Sequence, residues 1–282
     1  MSPQVDLSEV ARSICTSKDL TFIEFVGGGE FKQVYQVEKE ENEVFALKVV
    51  AEATRRTARE IRALQRCDHP NIARLYEVGK HTYQGNSYDY LIEEFLAGGT
   101  LTQKLGDQGN LNAEQTLIFG EKLIEAISHL IGHKLVHRDI KPDNIMYRED
   151  GSIPVLSDFG IVRDLTDVSL TRTGAFQPRT PFFAAPEQLN NQKRLIDWRT
   201  DQFSLGIVLC WARFGVHPFQ HRDDTSSRFA IERVENRESR SPDTITLIRD
   251  SGLECVEKMT CVWPVERYRL SNQLIQDWMA QG

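Results

Sequence analysis

Three short stretches of this chain bring together side chains able to handle phosphate, protons or cations. Residues 27–35, GGGEFKQVY, begin like a loop that holds phosphate: glycines at 27 and 29 let a backbone approach an anion closely. Lys32, however, stands where a third glycine would complete G-x-G-x-x-G, and these nine residues alone fit a nucleotide clamp or a plain hairpin turn. Residues 137–144, HRDIKPDN, crowd Asp139, Lys141, Asp143 and Asn144 around Pro142. Taken alone, that is a polar loop with turn chemistry, and SDFG at 157–160 is likewise a turn. His129 and His133 stand four apart, a spacing that could bind zinc, but no third ligand is evident and they fall at a helix end. The expectation for that pair is no metal.

The elements that must position these groups are legible from their patterning. TFIEFV, VYQVE and VFALKVV within residues 21–50 are rich in β-branched and aromatic residues and predict strands, with the acidic EKEEN as a solvated turn. Helical spacing of Ala58, Ile61 and Leu64 predicts a helix over 54–66, stopped before Pro70. LYEVGKHTY and YDYLIEEF predict two further strands. Asn112 with Gln115 forms the signature of a capping box, opening a helix whose apolar Leu117, Leu123, Ile127 and Leu130 share a face before Gly132 ends it. FSLGIVLCWARF at 203–214 is apolar nearly all round and predicts a helix buried on every side. Tryptophans 198, 211, 263 and 278 read as core packing. A small sheet lobe therefore precedes a larger helical one, with the hinge at FLAGGT, 95–100.

Composition excludes several classes. With 282 residues, 40% hydrophobic and 27% charged, the chain can bury a large core and is not disordered. A net charge of −7 argues against a nucleic-acid binder that neutralises backbone phosphate. Five cysteines without a C-x-x-C pair fit free thiols in a reducing compartment, hence the cytoplasm. Asp6, Glu9, Arg12, Lys18 and Asp19 leave no apolar run for a signal peptide, and no uninterrupted apolar stretch suffices for direct membrane insertion.

Taken in order, the motifs resemble those of a eukaryotic-like (Hanks-type) serine/threonine protein kinase, with wording in HRDIKPDN, APEQL and LTRTG that leans bacterial. The resemblance runs from about Val26 to Arg267. It implies an α+β, bilobal fold: a leader at 1–19, an antiparallel-sheet N-lobe with one main helix at 20–95, and a helical C-lobe at 96–282. By the same resemblance, Gly27, Gly28 and Gly29 would cover the ATP phosphates, Val34 and Ala46 would roof the adenine, and Glu94 would lie at the hinge of the nucleotide site. Lys48 would hold the α/β-phosphates and be held by Glu60 of TAREIRAL. Asp158 and Asn144 would hold Mg2+, with Mn2+ as a substitute. Asp139 would be the catalytic base and Lys141 would neutralise the moving phosphate. Thr171 and Thr173 of LTRTG would be autophosphorylation sites, in a homodimer, their charge pairing with Arg138. Asp201 would steady the backbone at His137, Glu187 would pair with Arg267, and Leu64, His137 and Phe159 would join a packed column.

Three positions depart from the family. Besides Lys32, Arg179 precedes Thr180 where glycine is usual. Glu93 falls where an apolar residue or threonine guards the pocket behind adenine. A buried carboxylate needs a partner or a shifted pKa: either Glu93 pairs with Lys48, competing with Glu60 and favouring an inactive state, or the register is off by one. The expected function is phosphate transfer to protein hydroxyls by a stand-alone kinase. Two alternatives are a pseudokinase scaffold and a small-molecule phosphotransferase of related fold. Whether LSEVARSI at 7–14 braces the small lobe or only leads into it stays open.

Overall fold

The computed structural model describes residues 7–28, 32–40, 43–51, 65, 67–159, 163–164 and 181–281. The chain divides into two units, one of residues 1–68 and 73–97, the other of 69–72 and 98–282. Gly29, Glu60, Leu64, Thr171, Thr173, Arg179 and Thr180, and most of the helix expected over 54–66, lie outside the described residues.

The small unit opens with helix α1 (Ser8–Lys18) and continues through strands β1 (Thr21–Gly28), β2 (Lys32–Glu38), β3 (Val44–Val50), β4 (Leu75–Tyr83) and β5 (Asn86–Glu94). These form one antiparallel sheet in the order β1-β2-β3-β5-β4. Side chains alternate across a strand, so the two faces carry different chemistry. Tyr35, Val37, Phe45, Leu47, Val49, Tyr90 and Ile92 form a buried core with Leu7, Val10, Ala11, Ile14 and Cys15 of α1 and its lead-in. The alternate residues Val34, Ala46, Lys48, Leu91 and Glu93 stand on the other face. The N-terminal segment therefore braces the sheet.

The large unit holds α2 (Leu101–Gln108) and α3 (Ala113–Gly132), then four short strands: β6 (Leu135–Val136), β7 (Ile145–Tyr147), β8 (Pro154–Leu156) and β9 (Arg163–Asp164). β6 pairs with β9 and β7 with β8. The helices α4 (Pro186–Leu189), α5 (Trp198–Phe214), α6 (Arg228–Glu235), α7 (Pro242–Asp250), α8 (Glu254–Met259) and α9 (Ser271–Met279) follow. The capping box at α3 is present: Asn112 Oδ1 accepts from Gln115 N–H and Gln115 Oε1 from Asn112 N–H, each at 2.9 Å. Leu117 is only half-buried, and Phe119 and Gly120 complete the inward face in its place. Gly120 is required there, since a Cβ would lie 2.0 Å from the Trp278 ring.

Helix α5 is buried from Thr200 to Cys210, whereas Trp211, Arg213 and Phe214, at the end of the stretch expected to be buried on every side, are only half-buried. The tryptophans divide differently from expectation. Trp278 is 2% exposed, but Trp263 is 45% exposed and lies under the Arg237 guanidinium at 4.1 Å, a surface cation–π pair. All five cysteines are free thiols.

Candidate active site

The loop after β6 is built around a buried carboxylate. Asp201, in the first turn of α5, accepts the His137 N–H on Oδ2 and the Arg138 N–H on Oδ1, both at 2.8 Å. Burial pushes its carboxyl up to about 7, against the lowering effect of those two donors. Held in this way, Arg138 adopts a left-handed φ of 70°, and its carbonyl accepts from Gln188 Nε2 of α4 at 2.8 Å. His137 is wholly buried, which depresses its pKa and keeps the ring neutral. One tautomer satisfies both ring nitrogens: Nε2 donates to the Ser157 carbonyl at 3.0 Å and Nδ1 accepts the Asp139 N–H at 3.2 Å. The Phe159 ring packs on it at 4.6 Å between centroids.

Asp139 is thereby presented with its carboxylate in a small polar cluster. Its Oδ2 accepts from Lys141 Nζ at 3.0 Å and from Asn144 Nδ2 at 2.9 Å. The same Nδ2 also donates to the Asp139 carbonyl at 2.7 Å. Both amide hydrogens of Asn144 are thus used, which turns its carbonyl oxygen away from Asp139. The 3-10 turn Pro142–Asn144 sets this geometry, and Asp143 is fixed through Thr102 Oγ1 at 2.7 Å.

Asp158 reaches the same end of the β7–β8 hairpin. Ile145 pairs with Leu156, and Ser157 donates its N–H to the Asn144 carbonyl at 2.8 Å and its hydroxyl at 3.1 Å. Asp158 follows with φ of 57°, a left-handed conformation that aspartate tolerates better than bulky residues. A carboxylate and an amide carbonyl are hard oxygen donors of the kind that suit Mg2+ or Mn2+. The residues present therefore fit a divalent cation.

In the small unit Gly27 pairs with Val34 and Gly28 with Gln33, so the glycine stretch is the mouth of the β1–β2 hairpin. Val34 lies opposite Lys48, and Ala46 opposite Glu93. Lys48 and Glu93 are both buried, and Lys48 Nζ donates to Glu93 Oε2 at 2.5 Å. The pairing expected from a carboxylate at this position is thus present, in the register the motif implied. Glu94 accepts the Arg74 N–H on its side chain at 3.3 Å and gives its own N–H to the Arg74 carbonyl at 2.8 Å.

Other contacts were legible only in part. Arg267 pairs with Glu187 through two hydrogen bonds of 2.7 and 3.0 Å, both side chains wholly buried. The His129 and His133 rings lie 4.7 Å apart between centroids, tilted to each other, and His69, which no spacing rule pointed to, adds a third ring 5.1 Å from His129. The bond from Gln188 to Arg138 and that from Thr102 to Asp143 also had no signal in the sequence.

Residues 20–279 match the family model described as protein kinase domain. Among curated relatives, the serine/threonine-protein kinase PrkC of Bacillus subtilis is 29% identical over 261 residues, 89% of this chain and 39% of that protein. A probable serine/threonine-protein kinase of Clostridium perfringens is 27% identical over 263 residues, 90% of this chain and 37% of the other. The calcium/calmodulin-dependent protein kinase type 1 of Macrobrachium nipponense is 28% identical over 269 residues, covering 91% and 74%. The chain thus spans little more than a third of the two bacterial relatives it matches. Among the described residues, no helix is long and apolar enough to cross a membrane.

Proposed function

Because the chain belongs to the protein kinase family, we propose that it is an ATP-dependent serine/threonine protein kinase, transferring the γ-phosphate to hydroxyls of protein substrates. The observation that carries the reading is the Asp139 cluster: a carboxylate oriented by Lys141 and Asn144 on a loop fixed by Asp201.

In this reading Asp139 accepts the proton of the attacking hydroxyl as the new O–P bond forms and the bond to the nucleotide breaks, a role that contributes about 10²–10⁴ in rate. Lys141, already 3.0 Å from Asp139, offsets charge on the transferring group. Asn144 and Asp158 would hold Mg2+, which when bound supplies charge neutralisation to the phosphates. Gly27, Gly28 and Gly29 cover the phosphates, Val34 and Ala46 line the adenine side, and Lys48, with Glu60, orients the α/β-phosphates. Thr171 and Thr173 are autophosphorylation sites in a transient homodimer. Lys141 in the loop supports the serine/threonine class, and free thiols support a cytoplasmic location.

A second reading is favoured by the Lys48–Glu93 pair: a kinase held off, or a scaffold, because the phosphate-binding lysine is engaged by a carboxylate. Transfer from labelled ATP with magnesium, compared between the natural protein and Asp139→Asn and mapped by mass spectrometry, decides between them. Phosphate on serine or threonine that vanishes in the variant supports the kinase. Nucleotide binding without transfer to protein moves the reading to the scaffold.

A further inference from the structure

Helix α1 lies before the residues that match the family model, yet it is part of the small unit's core. Its apolar stripe is buried against the sheet face opposite Lys48, and it is pinned along its length. Ser13 Oγ meets His81 Nε2 at 2.8 Å, and Lys18 pairs with Glu77, which accepts from Tyr90 OH at 2.7 Å.

The pin at its start leads to the hairpin mouth. Leu7, immediately before α1, donates its backbone N–H to Gln33 Oε1 at 3.0 Å, and Tyr35 OH donates to the same oxygen at 2.5 Å. Gln33 is 5% exposed and Tyr35 and Leu7 wholly buried, so the acceptor sits in a dry environment where losing it removes a hydrogen bond from the Leu7 N–H. Gln33 pairs directly with Gly28, and the strands approach closely there: a Cβ on Gly28 would lie 2.7 Å from Gln33 Cα and 2.5 Å from the Lys32 carbonyl. Glycines 27 and 28 carry no side chain that could anchor the turn. Among the described residues, Gln33 ties this end of the hairpin to the segment that leads into α1.

We propose that Gln33 is a positioning residue for nucleotide binding: through its amide oxygen, α1 sets the position of the glycine hairpin over the phosphates. This rests on the kinase reading, with nucleotide affinity as a readout that does not need transfer. The device lies outside the family's motifs, since the helix that provides the tether precedes the matched residues.

The test compares Gln33→Met, which keeps length and loses the acceptor, with Gln33→Glu, which keeps an acceptor oxygen. Gln33→Met is expected to raise KM for ATP and Kd for a non-hydrolysable ATP analogue about fivefold or more, with kcat at saturating ATP within about twofold. Gln33→Glu is expected to restore both constants toward the natural values. A second pair guards against misfolding. Ile14→Val removes a buried methyl from the α1 contact, and Ile248→Val removes one from α7 in the large unit; both isoleucines are wholly buried. Ile14→Val is expected to raise Kd for the analogue about twofold and Ile248→Val to leave it unchanged. Unchanged Kd in folded Gln33→Met, or equal effects of the two isoleucine variants, overturns the proposal. If the natural protein binds the analogue but transfers no phosphate, the kinase reading fails while the Kd series still judges Gln33.

Discussion

Glu93→Gln should make the protein a better nucleotide binder. Lys48 Nζ and Glu93 Oε2 are 2.5 Å apart, with side chains 11% and 9% exposed, so water screens the pair little. A hydrogen bond between charged groups in such a setting contributes about 1.5–3 kcal/mol, and one to a neutral amide about 0.5–1.5 kcal/mol. Glutamine keeps the shape and one acceptor, so the hold on Lys48 weakens by roughly 1–1.5 kcal/mol. At about 1.4 kcal/mol per factor of ten, Kd for ATP should fall about five- to tenfold. Glu93→Leu removes this carboxylate entirely and with it the charge-assisted hydrogen bond to Lys48, worth about 1.5–3 kcal/mol. Fluorescence titration with an ATP analogue gives Kd, thermal unfolding confirms the fold, and Lys48→Met sets the floor. Should Glu93→Gln bind no tighter, or more weakly, Glu93 orients Lys48 rather than withholding it.

Two further outcomes follow from buried groups in the large unit. Arg267→Met strands the wholly buried Glu187 carboxylate, which Thr200 also contacts at 2.8 Å, and should cost about 3–5 kcal/mol in denaturant unfolding. A loss below about 1 kcal/mol would contradict that. His217 is buried with Nε2 on the Phe182 carbonyl at 2.9 Å, and burial lowers its pKa to about 3. The unfolded chain takes up this proton below about 6.5 and the folded chain does not, so stability falls as pH drops from about 6.5 toward 3, by up to about 1.4 kcal/mol per pH unit. His217→Asn should flatten that slope by about one proton between pH 6.5 and 4.5; an unchanged slope means His217 protonates while folded.

Local signals in this chain were read well because they are complete within a few residues. The Asn112–Gln115 box needs only one helical turn, the strands only their alternation, and the uniform apolarity of 203–214 only a surrounding core. The loop HRDIKPDN carries its own geometry, since Pro142 and the Asn144 amide set the Asp139 carboxylate within six residues. Glu93 was legible as a problem: a carboxylate among apolar strand residues needed a partner or a shifted pKa, and Lys48 lies across the sheet from Leu91, two residues before it on the same face.

What only the tertiary structure decided depends on groups that meet from distant parts of the chain. The stripe of α1, broken by Ser8, Ser13, Thr16 and Ser17, becomes a core element because an open sheet face lies against it. Trp263 looked like core material, but aromatic bulk does not say which side of a turn faces solvent. His69 beside His129 and Gln33 beneath Leu7 left no trace in spacing. A side chain's type and period state what it can pair with, whereas burial and partner are set by the backbone packed against it, which the local sequence does not contain.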